Sequence, residues 1–344
     1  MNVLVTGGAG YIASHACQRL MRDGHNVVIV DSLIRGHERA VELLRVQRSP
    51  GRVLAFAKAD VGDRAVVEPL LLEHRVGAVM HFAALAAVGE SVADPLLYYR
   101  NNVVSMVGLL GACRGAGVER FVFSSSCATY GQPPEAMVPI PEECPKAPIS
   151  PYGMTKLHGE HILADVGAAC AREGRPFAFA ALRYFNVAGA DRSGVLGEDH
   201  DPESHLIPVV LHAAQGRRDG VAIFGTDYPT VDGTCVRDYI HVEDLADAHV
   251  AVMNALKPGE ARAYNLGIGR GYSVREIIEA ARAVTGRTFG VAEQARRAGD
   301  PPRLFADPSK IRRELGWSAS ITDLHAIIES AWRWFLAHPK GYRS

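Results

Sequence analysis

The stretch Asn2-Val3-Leu4-Val5-Thr6-Gly7-Gly8-Ala9-Gly10-Tyr11-Ile12-Ala13 decides the fold. Residues 2–6 are a short apolar run that breaks at once into glycines. A helical pattern then runs to about Asp23, stops at Gly24, and a second apolar run, Asn26–Val30, closes on Asp31. Strand, glycine-rich turn, helix, strand and acid follow in the order of a dinucleotide-binding βαβ unit. Gly7 and Gly10 let the backbone approach a pyrophosphate, which would sit on the N–H groups opening the helix. Tyr11 and Ile12 begin that helix. Ala13 replaces the usual third glycine and is small enough for close helix packing. Asp31 would accept from both ribose hydroxyls and repel a 2′-phosphate, which favours NAD over NADP.

Outward from this unit the alternation continues. Strands are expected at Val53–Asp60, Gly77–Ala84, Phe121–Ser126 and Phe177–Phe185, with helices at Asp63–Arg75, Pro95–Ala116 and after Ser150. Near-continuous apolar strands separated by helices predict a parallel sheet covered on both faces. Its ligands gather beyond the strand C-termini, where Asp31, Asp60, Ala83 and Ser126 fall. Beyond Asn186 the texture changes. Residues 187–205 are rich in Gly and Asp and read as loop. Short strands and helices then follow to the C-terminus, among them Val221–Gly225, Val236–Val242 and a helix capped by Ser273. The expected architecture is α/β, a Rossmann-like doubly wound parallel sheet with a smaller, discontinuous α/β substrate-binding lobe. Residues 1–186, with about 226–262, would form the NAD-binding domain; 187–225 and 263–344 would form the other lobe.

Composition narrows the function. The 344 residues carry 48% hydrophobic and 22% charged side chains, and the formal net charge is -1. Such a balance gives no electrostatic case for nucleic acid or an anionic membrane. No run approaches the ~20 apolar residues that span a bilayer. The start, MNVLVTGGAG, lacks a basic n-region and a long apolar run. The 6 cysteines form no C-x-x-C pair, so reduced thiols and a cytoplasmic location are expected. His158 and His161 flank Glu160, and His200 and His205 lie near Asp201. Neither spacing matches the H-E-x-x-H of zinc enzymes, so solvated histidines and no metal are expected.

The chemistry concentrates in Ser150-Pro151-Tyr152-Gly153-Met154-Thr155-Lys156. Pro151 suits a first helical turn, and Tyr152 and Lys156, four apart, share one face. A neighbouring ammonium favours the phenolate and makes a general base of the tyrosine. Upstream, Ser124-Ser125-Ser126-Cys127-Ala128-Thr129-Tyr130 closes the fifth strand, where a hydroxyl could bridge a substrate oxygen and the Tyr152 phenol. A strand-end serine, a Tyr–Lys pair and an upstream NAD turn make an alcohol dehydrogenase constellation.

With these residues in view, the chain resembles the extended short-chain dehydrogenase/reductase family, specifically its UDP-glucose 4-epimerases, over essentially its whole length. The resemblance is carried by TGGAGYIASH at 6–15, HFAALAAVGESV at 81–92, YYRNNV at 98–103, SSSCATYG at 124–131 and SPYGMTK at 150–156. LRYFNVAGA at 182–190, HLIP at 205–208, AIFGTDYPTVDGTCVRDYIHVEDLADAHV at 222–250, YNLG at 264–267 and RRAGD at 296–300 extend it. It implies reversible inversion at C4 of a UDP-hexose through a transient 4-keto sugar, with tightly bound NAD, in a homodimer. By the same resemblance Asp60, Val61, Phe82, Ala83, Ala84, Asn101, Ser124 and Tyr184 join Gly7, Gly10, Tyr11, Ile12, Asp31, Tyr152 and Lys156 around NAD. Asn186, His205, Leu206, Phe224, Arg237, Tyr239, Arg297, Asp300 and Leu304 join Ser126 and Tyr152 around the UDP-sugar. The guanidinium forks of Arg237 and Arg297 also suit a diphosphate on physical grounds. Dehydratase and decarboxylase relatives place acidic residues after the catalytic hydroxyl; Cys127 and Ala128 here argue against 4,6-dehydration. UDP-pentose or UDP-N-acetylhexosamine epimerisation, and a dehydrogenase with net redox turnover, are the alternative readings.

Overall fold

The structure, a computed structural model, describes residues 1–297 and 299–343. In chain order the first elements are β1 (Asn2–Thr6), α1 (Tyr11–Arg22), β2 (Asn26–Asp31), α2 (Glu38–Arg45), β3 (Val53–Lys58), α3 (Arg64–Glu73) and β4 (Ala78–His81). They continue with α4 (Val88–Ala93), α5 (Pro95–Tyr98), α6 (Ser105–Ala116), β5 (Arg120–Ser124), α7 (Pro151–Arg172) and β6 (Ala178–Tyr184). After these come β7 (Asn186–Ala188), α8 (Leu206–Ala214), β8 (Gly220–Phe224), β9 (Val236–Arg237), β10 (Tyr239–His241), α9 (Val242–Ala255) and β11 (Ala261–Leu266). The chain ends with β12 (Tyr272–Ser273), α10 (Val274–Thr285), β13 (Gly290–Gln294), β14 (Arg303–Leu304), α11 (Ser309–Leu315) and α12 (Leu324–Ala337).

A 7-stranded sheet in the order β11-β6-β5-β4-β1-β2-β3 carries the first half. The pairs from β3 through β6 are all parallel. Strand order reverses between β1 and β4, the place where open α/β sheets take their ligands. Strands β1 and β2 are buried on both faces because helices cover both sides, which is why their sequences do not alternate. One core under the sheet joins Leu4, Val28, Val30, Val79, Phe121 and Phe123 to Val67, Leu71, Met106, Leu109 and Leu163 from the helices.

Two compact units emerge. The first holds 1–131, 146–183 and 246–264; the second holds 132–145, 184–245 and 265–344. Of the stretch 226–262 expected beside the dinucleotide fold, only 246–262 packs there. The reason is pairing: β9 lies between β12 and β14, and β10 pairs with β7, so 226–245 is tied into the second unit.

Three local expectations change. Residues 187–205 are not all loop, because Asn186–Ala188 pairs in parallel with Tyr239–His241. The run 236–242 is two strands broken at Asp238, whose buried carboxylate accepts from the N–H groups of Ile268 (3.0 Å) and Ala306 (3.3 Å). Burial pushes that carboxyl up to about 7. The helix expected over 95–116 contains a π-helical segment at Tyr99–Val104, a feature frequent at functional sites. Among the described residues, no helix is long and apolar enough to cross a membrane.

Candidate active site

The glycine turn is built as a cradle. Gly7 has φ +72°, and a Cβ there would stand 2.8 Å from the Ala83 nitrogen, so no other residue fits. Gly10 caps α1 without a side-chain hydrogen bond, leaving the helix-opening N–H groups for a ligand. At the end of β2, Asp31 accepts from Ala9 N–H (3.0 Å) and Leu33 N–H (2.8 Å), which fixes its carboxyl beside the turn. Burial raises the Asp31 carboxyl above its ordinary range, and those two backbone donors oppose the rise. Tyr11 is buried and Ile12 half-buried at the start of α1. Phe82 packs at a tilt against His249, ring centroids 4.7 Å apart, with Ala83 and Ala84 half-buried beside it. Val61 is buried; exposed Asp60 accepts from Gly62 N–H at 2.7 Å. A cradle closed to any Cβ, an open helix start and a carboxylate fixed beside the turn fit NAD.

The candidate catalytic group assembles on α7. Ser150 caps the helix by accepting from Gly153 N–H, and Pro151 fills the first turn. Gly153 is there for contact: a Cβ would stand 2.5 Å from the Ala128 carbonyl oxygen. That approach brings the helix start against the 3₁₀ turn Cys127–Tyr130, which Ser126 caps by accepting from Ala128 N–H at 3.1 Å. Strand β5 thus ends at Ser124, two residues short of the expected boundary, and Ser126 belongs to the turn. Its oxygen takes the backbone proton, and its own O–H can donate.

Lys156 is buried, donates to the Ser124 carbonyl at 2.7 Å, and lies 5.9 Å from the Tyr152 ring centroid and 5.1 Å from that of Phe123. Burial pulls its ammonium down to about 7. Nearby His81, bonded to the Thr6 hydroxyl at 2.7 Å, is pushed down to about 3 by burial and then by Lys156, and stays neutral. Tyr98 meets Tyr152 edge-on at 6.4 Å.

Several residues behind this group were not singled out by sequence reasoning. Glu160 accepts from Arg183 Nε (2.8 Å) and Nη2 (2.7 Å) and from the Ser125 hydroxyl (2.7 Å). Arg183 also donates to the Tyr130 hydroxyl at 2.8 Å. This buried network joins α7, β6 and the serine run. A signal existed: residues 152, 156 and 160 lie on one helix face, and an arginine inside an apolar strand demands a partner. Asn102, not Asn101, is the buried amide of the π-helical turn. It accepts from Leu85 N–H (2.9 Å) and donates to the Leu85 carbonyl (3.0 Å) and Thr155 hydroxyl (3.1 Å). Half-buried Asn101 donates to the Asn102 oxygen at 2.9 Å.

The second unit carries the other expected residues. Half-buried Tyr184 ends β6. Asn186 opens β7 in register with Tyr239, whose buried phenol is pushed up to about 12 by burial. Arg237 donates to the carbonyls of Val236 and Pro301, both at 2.9 Å, and faces Asp300 at 3.6 Å. Leu304 pairs in register with Arg237 across the β9–β14 ladder. The Arg297 guanidinium stacks over the Phe224 ring at 3.7 Å. Half-buried Leu206 opens α8, and the preceding His205 turns its Nδ1 onto Glu198 and Glu203. The loop histidines expected to be solvated are indeed partly exposed, but they are not alone: Glu198, His200, Glu203 and His205 converge. Exposed His161 and half-buried His158 have no such company among the described metal-ligating clusters.

This fold and catalytic group define a nicotinamide-dependent enzyme acting on an alcohol, and residues 3–267 match the NAD dependent epimerase/dehydratase family. The chain belongs to that family. It is 47% identical to the UDP-glucose 4-epimerase of Rhizobium meliloti, over 99% of this chain and 98% of that one. It is 46% identical to UDP-arabinose 4-epimerase 1 of Arabidopsis thaliana, over 99% of this chain and 81% of the relative. Among solved structures, UDP-glucose 4-epimerase from Stenotrophomonas maltophila, with bound NAD and formylated UDP-arabinopyranose, superposes with a TM-score of 0.91. The two are 43% identical over 99% of each chain.

Proposed function

We propose that this chain is an NAD-dependent UDP-glucose 4-epimerase, interconverting UDP-glucose and UDP-galactose through a transient 4-keto sugar. The observation that carries this reading is the shared face of Tyr152 and Lys156 on α7, set against the Ser126 turn beside a glycine cradle. NAD, held by Gly7, Gly10, Asp31 and the Phe82–Ala84 segment, supplies reversible hydride uptake at C4. Tyr152 takes and returns the O4 proton. Ser126 donates its O–H to that oxygen and holds it in line. Lys156 favours the phenolate, and its anchor on the Ser124 carbonyl fixes the ammonium. Arg237 and Arg297 bind the diphosphate, with Asn186, Tyr239, Phe224, Asp300, His205, Leu206 and Leu304 shaping the rest of the UDP-sugar site. Inversion requires the ketone to present its other face before hydride returns, so binding energy concentrates on the UDP end.

Two further expectations complete the reading, the location from cysteine usage and the homodimer from resemblance. A cytoplasmic location agrees with six free cysteines. A homodimer agrees with exposed Val88, Val92, Leu96, Val104 and Val107 along one helical stretch.

The test is incubation with UDP-galactose, analysed by proton NMR and by absorbance at 340 nm. Appearance of UDP-glucose with no accumulating NADH is expected. Continuous NADH release would replace this reading with a dehydrogenase. Likeness to UDP-arabinose 4-epimerases favours a second substrate, the UDP-pentoses. A missing hydroxymethyl removes contacts without a clash, so UDP-arabinose should be turned over at about 10–200-fold lower kcat/KM.

A further inference from the structure

The run Glu198-Asp199-His200-Asp201-Pro202-Glu203-Ser204-His205 leads into α8 and lies wholly inside the second unit. Its four potential ligand atoms all lie within 4.8 Å of one another. His200 Nδ1 is 3.1 Å from Glu198 Oε1 and 3.6 Å from Glu203 Oε2. His205 Nδ1 is 3.0 Å from Glu198 Oε1 and 3.0 Å from Glu203 Oε1. Zinc binds imidazole nitrogen and carboxylate oxygen at ~2.0–2.2 Å, and a tetrahedron of that radius has edges of about 3.3–3.6 Å. The histidine–carboxylate separations overlap that range, and the set as a whole lies within 4.8 Å, so side-chain adjustment alone would close the four donors on one ion.

We propose that Glu198, His200, Glu203 and His205 form a structural zinc site that clasps the segment leading into α8. Two nitrogens and two carboxylate oxygens are a borderline-soft, four-coordinate set that suits Zn²⁺ and excludes the all-oxygen preference of Ca²⁺ or Mg²⁺. The site has an inside and an outside. The Glu198 and Glu203 side chains are only 5% and 6% exposed, whereas the imidazoles are 31% and 51% exposed, leaving an entry path on the histidine side. Two carboxylates that close to each other, and that buried, demand compensating positive charge.

The scaffold around the donors is fixed. Glu203 Oε1 also accepts from the N–H groups of Ser204 and His205, both at 2.8 Å, which orients the carboxylate. Asp199 accepts from Tyr342 N–H at 2.8 Å. The Tyr342 hydroxyl accepts from Gly197 N–H at 3.0 Å and donates to the Gly197 carbonyl at 3.2 Å. The C-terminal 3₁₀ turn therefore holds the segment from behind. Of the four ligands only His205 is also among the residues expected around the UDP-sugar, and the proposal turns its imidazole to the metal. Sequence spacing alone does not reveal it, because the four ligands follow no zinc-enzyme motif.

The experiment uses the full-length protein with its bound nucleotide, stripped by chelator dialysis and titrated with Co²⁺ and then Zn²⁺. One tightly bound ion per chain is expected, with intense tetrahedral Co²⁺ bands between about 500 and 650 nm that Zn²⁺ abolishes. The apparent Tm should rise by about 5 °C at a hundredfold excess over Kd. His200→Ala and Glu198→Gln should each weaken binding more than about tenfold. Retained nucleotide and unchanged far-UV circular dichroism certify that the variants fold. If they do not fold, the wild-type stoichiometry and Tm shift decide. Structural zinc sites bind far more tightly than micromolar, so less than a tenth of an equivalent bound at about 10 μM free Zn²⁺, or undiminished affinity in both folded variants, would overturn the proposal.

Discussion

Replacing Glu160 by glutamine changes one oxygen to an amide and leaves the volume nearly constant, so its cost reports charge and hydrogen bonding. In the structure that carboxylate takes both forks of Arg183, at 2.8 and 2.7 Å, and the Ser125 hydroxyl at 2.7 Å. The side chains of Arg183 and Glu160 are 4% and 9% exposed. Glutamine turns an N–H₂ toward one of these donors and leaves the guanidinium buried without a counter-charge. Breaking such a pair costs about 3–5 kcal/mol, and losing the serine bond adds about 1 kcal/mol. A loss of roughly 4–6 kcal/mol is a large share of the ~5–15 kcal/mol that holds a domain. Arg183→Met should cost a similar amount, because it strands the carboxylate. The double variant Glu160→Gln/Arg183→Met should recover much of the loss, since an apolar replacement of a whole buried pair is often neutral. Urea unfolding followed by far-UV circular dichroism is the assay. A single-variant cost below about 1 kcal/mol, or a double variant costing the sum of the singles, would refute the reasoning.

Lys156 supplies a pH signature: its folded pKa, about 7, lies below the ordinary 10.5, so the unfolded chain binds more protons between those values and stability rises with pH across that window. The difference in unfolding free energy between the wild type and Lys156→Met should therefore grow from pH 7 to pH 10, by up to about 1.4 kcal/mol per unit, and a flat or falling difference would contradict the burial argument. Tyr152→Phe should lower kcat ~10²–10⁴-fold with UDP binding retained, read by steady-state kinetics and calorimetry. Gly7→Ala meets both a φ of +72° and a Cβ contact of 2.8 Å with backbone, so it should destabilise by more than ~1 kcal/mol and strip most NAD from the purified protein, measured after denaturation. Leu304→Tyr should narrow the sugar site beside Arg237 and depress turnover of UDP-N-acetylgalactosamine more than that of UDP-galactose.

The dinucleotide unit was legible because its signals are local. An apolar run, glycines where a Cβ cannot fit and an acid at the next strand end sit within 31 residues, and each maps onto an observed element. The Tyr152–Lys156 face was legible for the same reason, since helix geometry alone puts those side chains together. What escaped depends on distant partners. Strand β7 pairs with a segment about fifty residues later, and Gly- and Asp-rich neighbours masked it. Asp238 breaks a strand only because Ile268 and Ala306 bring N–H groups to it. The convergence of Glu198 with His205 needs a compact turn that no periodicity announces.

The missed and the predicted residues of the first unit obey one physical logic. Helix α7 presents Tyr152, Lys156 and Glu160 in successive turns along a single buried face. Each is polar in a place where water is scarce, and each is answered by a different strand-end group. Lys156 meets the Ser124 carbonyl, Glu160 meets Ser125 and Arg183, and Tyr152 lies against the turn that Ser126 caps. The three consecutive serines are thus divided: one steadies the ammonium through its backbone, one completes a buried ion pair, and one, in the proposed mechanism, serves the substrate. Moving Ser126 relative to Tyr152 would require breaking the bonds of its two neighbours, worth several kcal/mol together. On the proposed mechanism, placement of the Ser126 hydroxyl therefore rests on interactions that never touch the sugar. Arg183, set in a strand otherwise built of apolar residues, is one of them.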